Sequence, residues 1–208
     1  MRIPKQILVG TKSAAKLREI RDILGDLPCQ ILSPEEVGPL PQVAEDGATF
    51  EDNACKKACE LARHFNMAVI ADDSGLEVDV LGGRPGVTSH RYAGEDATDA
   101  ENNLKLLAEL EGVPDEKRTA RYRCVVALAT PRGLQLTADG SCNGIIATEA
   151  SGANGFGYDP LFWYPPFGRS FGQISPERKL LVSHRGRALK AMLDWATEKD
   201  TAPSRSRL

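Results

Sequence analysis

The sequence predicts an α/β fold built on a mixed sheet, and two patterns predict it. Over roughly the first half of the chain, short apolar runs alternate with amphipathic helical stretches, which is how parallel strands are joined. Further on, Arg121–Thr130, Leu134–Ala138 and Asn143–Ala147 follow one another with only turn residues between them, as antiparallel neighbours do. The 208 residues are 41% hydrophobic and 26% charged. That suffices for a sizeable core beneath a soluble surface.

Gln6 to Gly10 is a short apolar strand that breaks at Gly10-Thr11-Lys12-Ser13. A helix follows to Leu24, with Leu17, Ile20, Ile23 and Leu24 on one face. Gln30–Leu32 is a weak strand, and 33–47, with three prolines, is a loop. Thr49-Phe50-Glu51-Asp52 has the form of a capping box. The helix it opens lines up Phe50, Ala54, Ala58, Leu61 and Phe65. Strands are expected at 68–72 and Val78–Leu81. A second capping box, Thr98 to Glu101, starts a helix lined by Leu104, Leu107 and Leu110. After the three strands of the middle come a glycine-rich loop at 151–159 and a short helix from Ser175-Pro176. A last helix runs from His184 to Ala196. One domain, 1–200, is expected, with a disordered polar tail at 201–208.

Net charge is −3, so there is no global basic field and long nucleic acids are not expected as partners. The five cysteines are scattered and imply no disulfide framework. Met1–Gly10 lacks a signal-peptide apolar region, and no apolar run approaches the ~20 residues of a membrane span. The expectation is a reducing cytoplasm and no membrane.

The most informative stretch is 68–94. An apolar run ends in Asp72-Asp73-Ser74-Gly75. Side chains alternate along a strand, so one acid can face a cleft and hold a cation while the other braces the turn. A solvated acidic turn has the same appearance. Gly10 to Lys16 joins a strand to a helix. Thr11, Lys12, Ser13 and Lys16 suit an anion site at the helix start, or simply a capped helix with solvated lysines. Glu45 and Asp46 precede the next helix, which carries Lys56 and Lys57. They are either partners of the helix dipole or oxygen ligands for a hard cation, and Mg²⁺ takes one or two carboxylates. Gly155-Phe156-Gly157-Tyr158-Asp159 is a structural turn or an aromatic wall for a planar base. Lys179 and His184-Arg185 are a helix start or a donor-rich edge. No GxSxG elbow supports a serine hydrolase.

Together these segments resemble the inosine triphosphatase family, the XTP/dITP diphosphatases that act on noncanonical purine nucleoside triphosphates. Thr49 to Ala54, Ala71 to Leu76, Phe156 to Pro160, and Lys179 with Ser183 to Gly186 carry the resemblance, which spans residues 6–196. It implies an elongated mixed sheet with two lobes and a cleft between them, a homodimer, Mg²⁺, and release of pyrophosphate from ITP, dITP or XTP. By position it implies Asp73 as the catalytic carboxylate and metal ligand, and Glu45 as the second metal ligand. Thr11, Lys12, Ser13, Lys16, Lys57 and Ser74 fall at substrate contacts. Phe156, Gly157, Tyr158, Asp159, Lys179, His184 and Arg185 fall in the base-binding set. The chain departs from the family in two places: Thr11-Lys12-Ser13 replaces a Thr-Gly-Asn triplet, and Gln173 stands where an acid is common.

Overall fold

The computed structural model describes residues 3–25 and 27–201, with side chains as far as Ala196. The strands are β1 (Gln6–Val9), β2 (Gln30–Leu32), β3 (Ala68–Val78), β4 (Thr119–Thr130), β5 (Gly133–Ile146), β6 (Phe162–Tyr164) and β7 (Arg169–Ser170). They form one sheet in the order β2-β1-β3-β4-β5-β6-β7. β1 is parallel to both β2 and β3, and every later pair is antiparallel. The helices are α1 (Ala14–Leu24), α2 (Pro34–Val37), α3 (Phe50–Phe65), α4 (Asp99–Glu109), α5 (Pro176–Val182) and α6 (His184–Thr201).

The two-residue side-chain period of the strands sorts the core into layers. Ile7, Val9, Ile70, Val126 and Leu128 point to one face and pack against Ile20 and Leu24 of α1 and Leu189 and Met192 of α6. Leu8, Val69, Ala71, Val125 and Ala127 point to the other and meet Phe50, Ala54 and Leu61 of α3. A separate cluster of Leu76, Val78, Leu106, Leu110, Tyr122, Phe162 and Phe171 covers the far ends of the same strands. β3 and β4 are 11 and 12 residues long, roughly 35–40 Å at a strand's rise, so they run through both cores. Two lobes on one long sheet are the result, and the acids of β3 sit where the strand passes between them.

The structure corrects several expectations. Asp72 and Asp73 do not end a strand. They lie mid-β3, opposite Val126 and Val125, and the strand continues to Val78 before a 3-10 turn at Asp79–Leu81. β4 supplies an unbroken partner, which keeps these polar residues in the ladder. On the other edge β1 stops at Val9, opposite Ile70, so β3 beyond that point is open to a cavity. Similarly, 134–138 and 143–146 belong to one strand, β5, which ends one residue before the predicted Ala147. The apparent break at Gly140 marks a helix docking site, since a Cβ there would collide with the His184 carbonyl and the Ala188 nitrogen. The proline-rich loop contains α2, capped by Ser33 and Glu36. Leu104 points to solvent, while Leu106 and Leu110 are buried. Both predicted capping boxes form, Thr49 with Asp52 and Thr98 with Glu101. The expected tail lies outside the described residues, apart from Thr201 at the end of α6.

Candidate active site

A cavity of about 450 Å³ opens along the free edge of β3, between the β1–α1 turn, α3, the 156–159 loop and the start of α6. The residues that the resemblance assigns to the site all line it, from Thr11, Lys12, Ser13 and Lys16 to Lys179, His184 and Arg185, whereas Asp46, Lys56 and Asp72 do not.

At one end lies the turn after β1. Thr11 Oγ1 accepts the Ser13 N–H at 3.2 Å, and Ser13 Oγ caps α1 by accepting the Lys16 N–H at 3.3 Å. The cap fixes where α1 begins and so aims Lys16 at the acids of β3. Across from it, Lys57 Nζ donates to Glu45 Oε1 at 2.6 Å. Burial favours the neutral form of Glu45, but Lys57, Lys16 and His90 outweigh it and hold the carboxyl below its usual value.

The two adjacent acids diverge as strand alternation requires. Asp73 shares the α3 side with Asn53, which donates to its Oδ2 at 2.9 Å, and Ser74 N–H donates to its Oδ1 at 2.9 Å. Burial pushes the Asp73 carboxyl up, and Asn53 and Lys57 do not offset this fully, with Glu45 adding to the rise. Asp73 is thus a buried acid short of positive charge beside a second acid, and this is the electrostatic condition that favours a bound cation. Asp72 faces α1 and α6 instead. It does not brace a turn: it pairs with Lys16 at 3.1 Å and with Arg185 at 3.1 Å. Burial disfavours its charge, but Lys16, Arg185 and Lys57 hold the carboxyl well below the usual carboxylate range.

The other end of the cavity is aromatic and almost closed to water. Lys179 Nζ bonds Asp159 Oδ2 at 2.6 Å and lies 4.5 Å from the centre of the Phe156 ring. Burial pushes Asp159 up despite Lys179. Tyr122 stacks on the His184 imidazole with centroids 4.6 Å apart. Burial, with Arg185 and Lys179 nearby, holds His184 well below its ordinary value, so the ring is neutral at pH 7. Its Nδ1 is buried without a partner. Tyr158 is mostly core, and its hydroxyl donates to the Ser89 carbonyl at 2.8 Å. Gly157 is held by α4, whose Asp99 accepts its N–H at 2.6 Å and whose Asn103 donates to its carbonyl at 3.0 Å.

Arg185 links the two ends. Its guanidinium donates to Asp72, to Ser74 Oγ at 2.9 Å and to Glu19 Oε2 at 2.5 Å. Glu19 sits on α1, the helix that begins at the Thr11–Ser13 turn, and lies 3.9 Å from Lys179. Among the described residues no cluster of three His, Cys, Asp or Glu side chains is arranged as a metal site. Glu45 and Asp73 form a two-carboxylate set, which suits a cation that completes its shell with phosphate and water.

The sequence profile of the Ham1 family matches residues 7–195. The chain belongs to the Ham1 family. A relative from Syntrophobacter fumaroxidans, named dITP/XTP pyrophosphatase, is 52% identical over 88% of this chain and 78% of its own length. One of the same name from Geobacter sulfurreducens is 49% identical over 91% and 95%. The solved structure of a HAM1 protein from Coxiella burnetii superposes with a TM-score of 0.84 at 39% identity, covering 93% of this chain and 98% of that one.

Within this Ham1 chain both departures keep their physical role. Ser13 is a helix N-cap, as asparagine is at such positions. Gln173 Oε1 accepts the Ser170 N–H at 3.0 Å, which a carboxylate would also do. Four residues that the structure places in the site have no role there assigned from the sequence: Glu19, Asn53, Asp99 and Tyr122. Only for Asn53 was there a usable signal, a polar residue among the buried positions of α3.

Proposed function

We propose that this chain hydrolyses noncanonical purine nucleoside triphosphates (ITP, dITP and XTP) to the monophosphate and pyrophosphate. The observation that carries this is the cavity along β3. It has a cation-rich turn and two acids at one end and a closed aromatic, donor-bearing end at the other. The names of the relatives above support the substrate class.

Three tasks fall to the chain. Lys16 and Lys57 offset triphosphate charge, and the positions of Glu45 and Asp73 suit Mg²⁺. When bound, the ion supplies Lewis-acid charge neutralisation to the phosphates. A carboxylate oxygen of Asp73 accepts the proton of the water that attacks the α-phosphorus. Pyrophosphate is the leaving group, so Ser and Cys nucleophiles are not needed.

Base choice follows from donor and acceptor pattern. Hypoxanthine and xanthine carry an acceptor at C6, and adenine carries a donor. The uncommitted groups at the aromatic end are those of a neutral His184 and the last guanidinium N–H of Arg185. Adenine's amino group would face the Arg185 N–H donor to donor and leave buried groups unpaired, a mismatch that discriminates by about 10⁴-fold.

We infer a homodimer in a reducing cytoplasm. All five cysteines are free, and among the described residues no helix is long and apolar enough to cross a membrane. Sedimentation velocity checks the assembly. The decisive experiment is a panel of ITP, dITP, XTP, GTP, ATP and pyrimidine triphosphates, with pyrophosphate and orthophosphate both measured. One-step pyrophosphate release from the first three is expected. Stepwise orthophosphate with accumulation of the diphosphate would sink the assignment.

A further inference from the structure

We propose, on the cation assignment above, that Asn53 is the positioning residue that sets the two cation-holding carboxylates relative to each other. Asn53 is 1% exposed, and its side chain makes two bonds. Its Oδ1 accepts the Gly47 N–H at 2.7 Å, and its Nδ2 donates to Asp73 Oδ2 at 2.9 Å. The amide cannot turn over. A flipped amide would set N–H against N–H at Gly47 and oxygen against oxygen at Asp73. With Ser74 N–H on Oδ1, each oxygen of Asp73 has one fixed donor, and the carboxylate plane is locked.

The same amide ties down Glu45. Gly47 lies two residues beyond it, and a Cβ on Gly47 would come within 2.7 Å of both Asn53 Oδ1 and Asp52 Cβ. Only glycine allows this approach. One helical turn after Asn53, on the same side of α3, Lys57 grips the Glu45 carboxylate at 2.6 Å. α3 therefore uses two positions four residues apart to hold the two acids, one each. Helix capping does not explain Asn53, because Thr49 and Asp52 already perform it. Nor does packing, since its buried neighbours on the helix are Phe50, Ala54 and Ala58. An amide buried among them is costly unless both of its ends are used.

Two variants test this. Asn53→Leu keeps roughly the shape and adds no charge beside the cation, but removes both the acceptor for Gly47 and the donor to Asp73. Gly47→Ala displaces the amide while leaving every charge and donor in place. Mn²⁺ affinity is read by electron paramagnetic resonance without nucleotide, and the Mg²⁺ concentration for half-maximal ITP turnover is read separately. Both variants should bind Mn²⁺ at least about tenfold more weakly and need correspondingly more Mg²⁺. The ITP-to-ATP ratio should stay at its wild-type value. Arg63→Ala, on the exposed face of α3, should change neither number. Cooperative thermal unfolding shows that each variant folds; should Asn53→Leu fail to fold, Gly47→Ala decides. Unchanged Mn²⁺ affinity and Mg²⁺ dependence in a folded variant overturns the role given to Asn53 alone. A wild-type protein that neither binds Mn²⁺ nor needs Mg²⁺ overturns the cation assignment as well.

Discussion

The two ends of the cavity hold similar numbers of charges in opposite ways. At the phosphate end the side chains of Lys16, Lys57 and Glu45 remain 21%, 14% and 27% exposed. At the base end Lys179, Asp159 and Arg185 are 4%, 1% and 1% exposed. Partly hydrated ions exchange partners cheaply, whereas buried ones do so only at a cost of several kcal/mol. The phosphate end can therefore trade its internal ion pairs for a triphosphate. The base end is a closed network, assembled before any ligand arrives, and it selects with the few groups left over. Charge at one end should govern turnover, and charge at the other should govern stability and choice.

The largest effect should come from the phosphate end. Asp73→Asn keeps the shape and the Ser74 bond, sets an N–H against the Asn53 amide, and removes the proton acceptor and a cation ligand. ITP turnover should fall at least about 100-fold, or ~2.7 kcal/mol, with cooperative unfolding retained. A variant keeping more than about a tenth of the wild-type rate would remove Asp73 from the chemistry.

At the base end the same substitution one residue earlier should do the reverse. Asp72→Asn leaves Glu19 as the one carboxylate on Arg185, takes an ion-pair partner from Lys16 as well, and breaks a fully buried pair. Such losses run to about 3–5 kcal/mol, readable in urea unfolding. A loss below about 1 kcal/mol would mean that the network is not closed as described. The contrast between neighbours on one strand is the sharpest test of the comparison.

A third test uses pH. His184 is neutral because burial, Arg185 and Lys179 hold its pKa well below 6.5. Below the unfolded value near 6.5 the unfolded chain binds a proton that the folded chain refuses, so ν_U exceeds ν_N and stability rises with pH. Acidification from pH 6.5 should thus erode stability by up to about 1.4 kcal/mol per pH unit from this group. His184→Gln should flatten that slope between pH 6.5 and pH 5 in a series of urea midpoints. An identical slope would place the imidazole in contact with solvent.

Much of this was legible in the sequence because the signals are local. Capping boxes, the strand-to-helix turn and the Phe156–Asp159 loop are written in consecutive residues. What escaped depends on partners far away in the chain. Asp72-Asp73-Ser74-Gly75 reads as a strand end only until β4 is seen to pair with it throughout. Gly140 reads as a break only until α6 is seen to dock on it. Arg185 presented as an exposed donor because nothing near it in sequence announces Glu19 or Asp72, 166 and 113 residues earlier.

The smallest effect should come from the departure at Gln173. Its side-chain oxygen accepts the Ser170 N–H and closes the 3-10 turn Phe171–Gln173. Gln173→Glu retains that oxygen at the same reach and adds a charge at an exposed position. Among the described residues, Gln173 does not line the cavity, and its capping bond does not involve the Lys179–Asp159 pair. Stability should shift by no more than about 0.5 kcal/mol, and the kcat/KM ratio of ITP to ATP should hold within about twofold. A tenfold change in that ratio would mean that the base end senses charge beyond its buried pairs, and the division between an exchangeable phosphate end and a closed base end would fail.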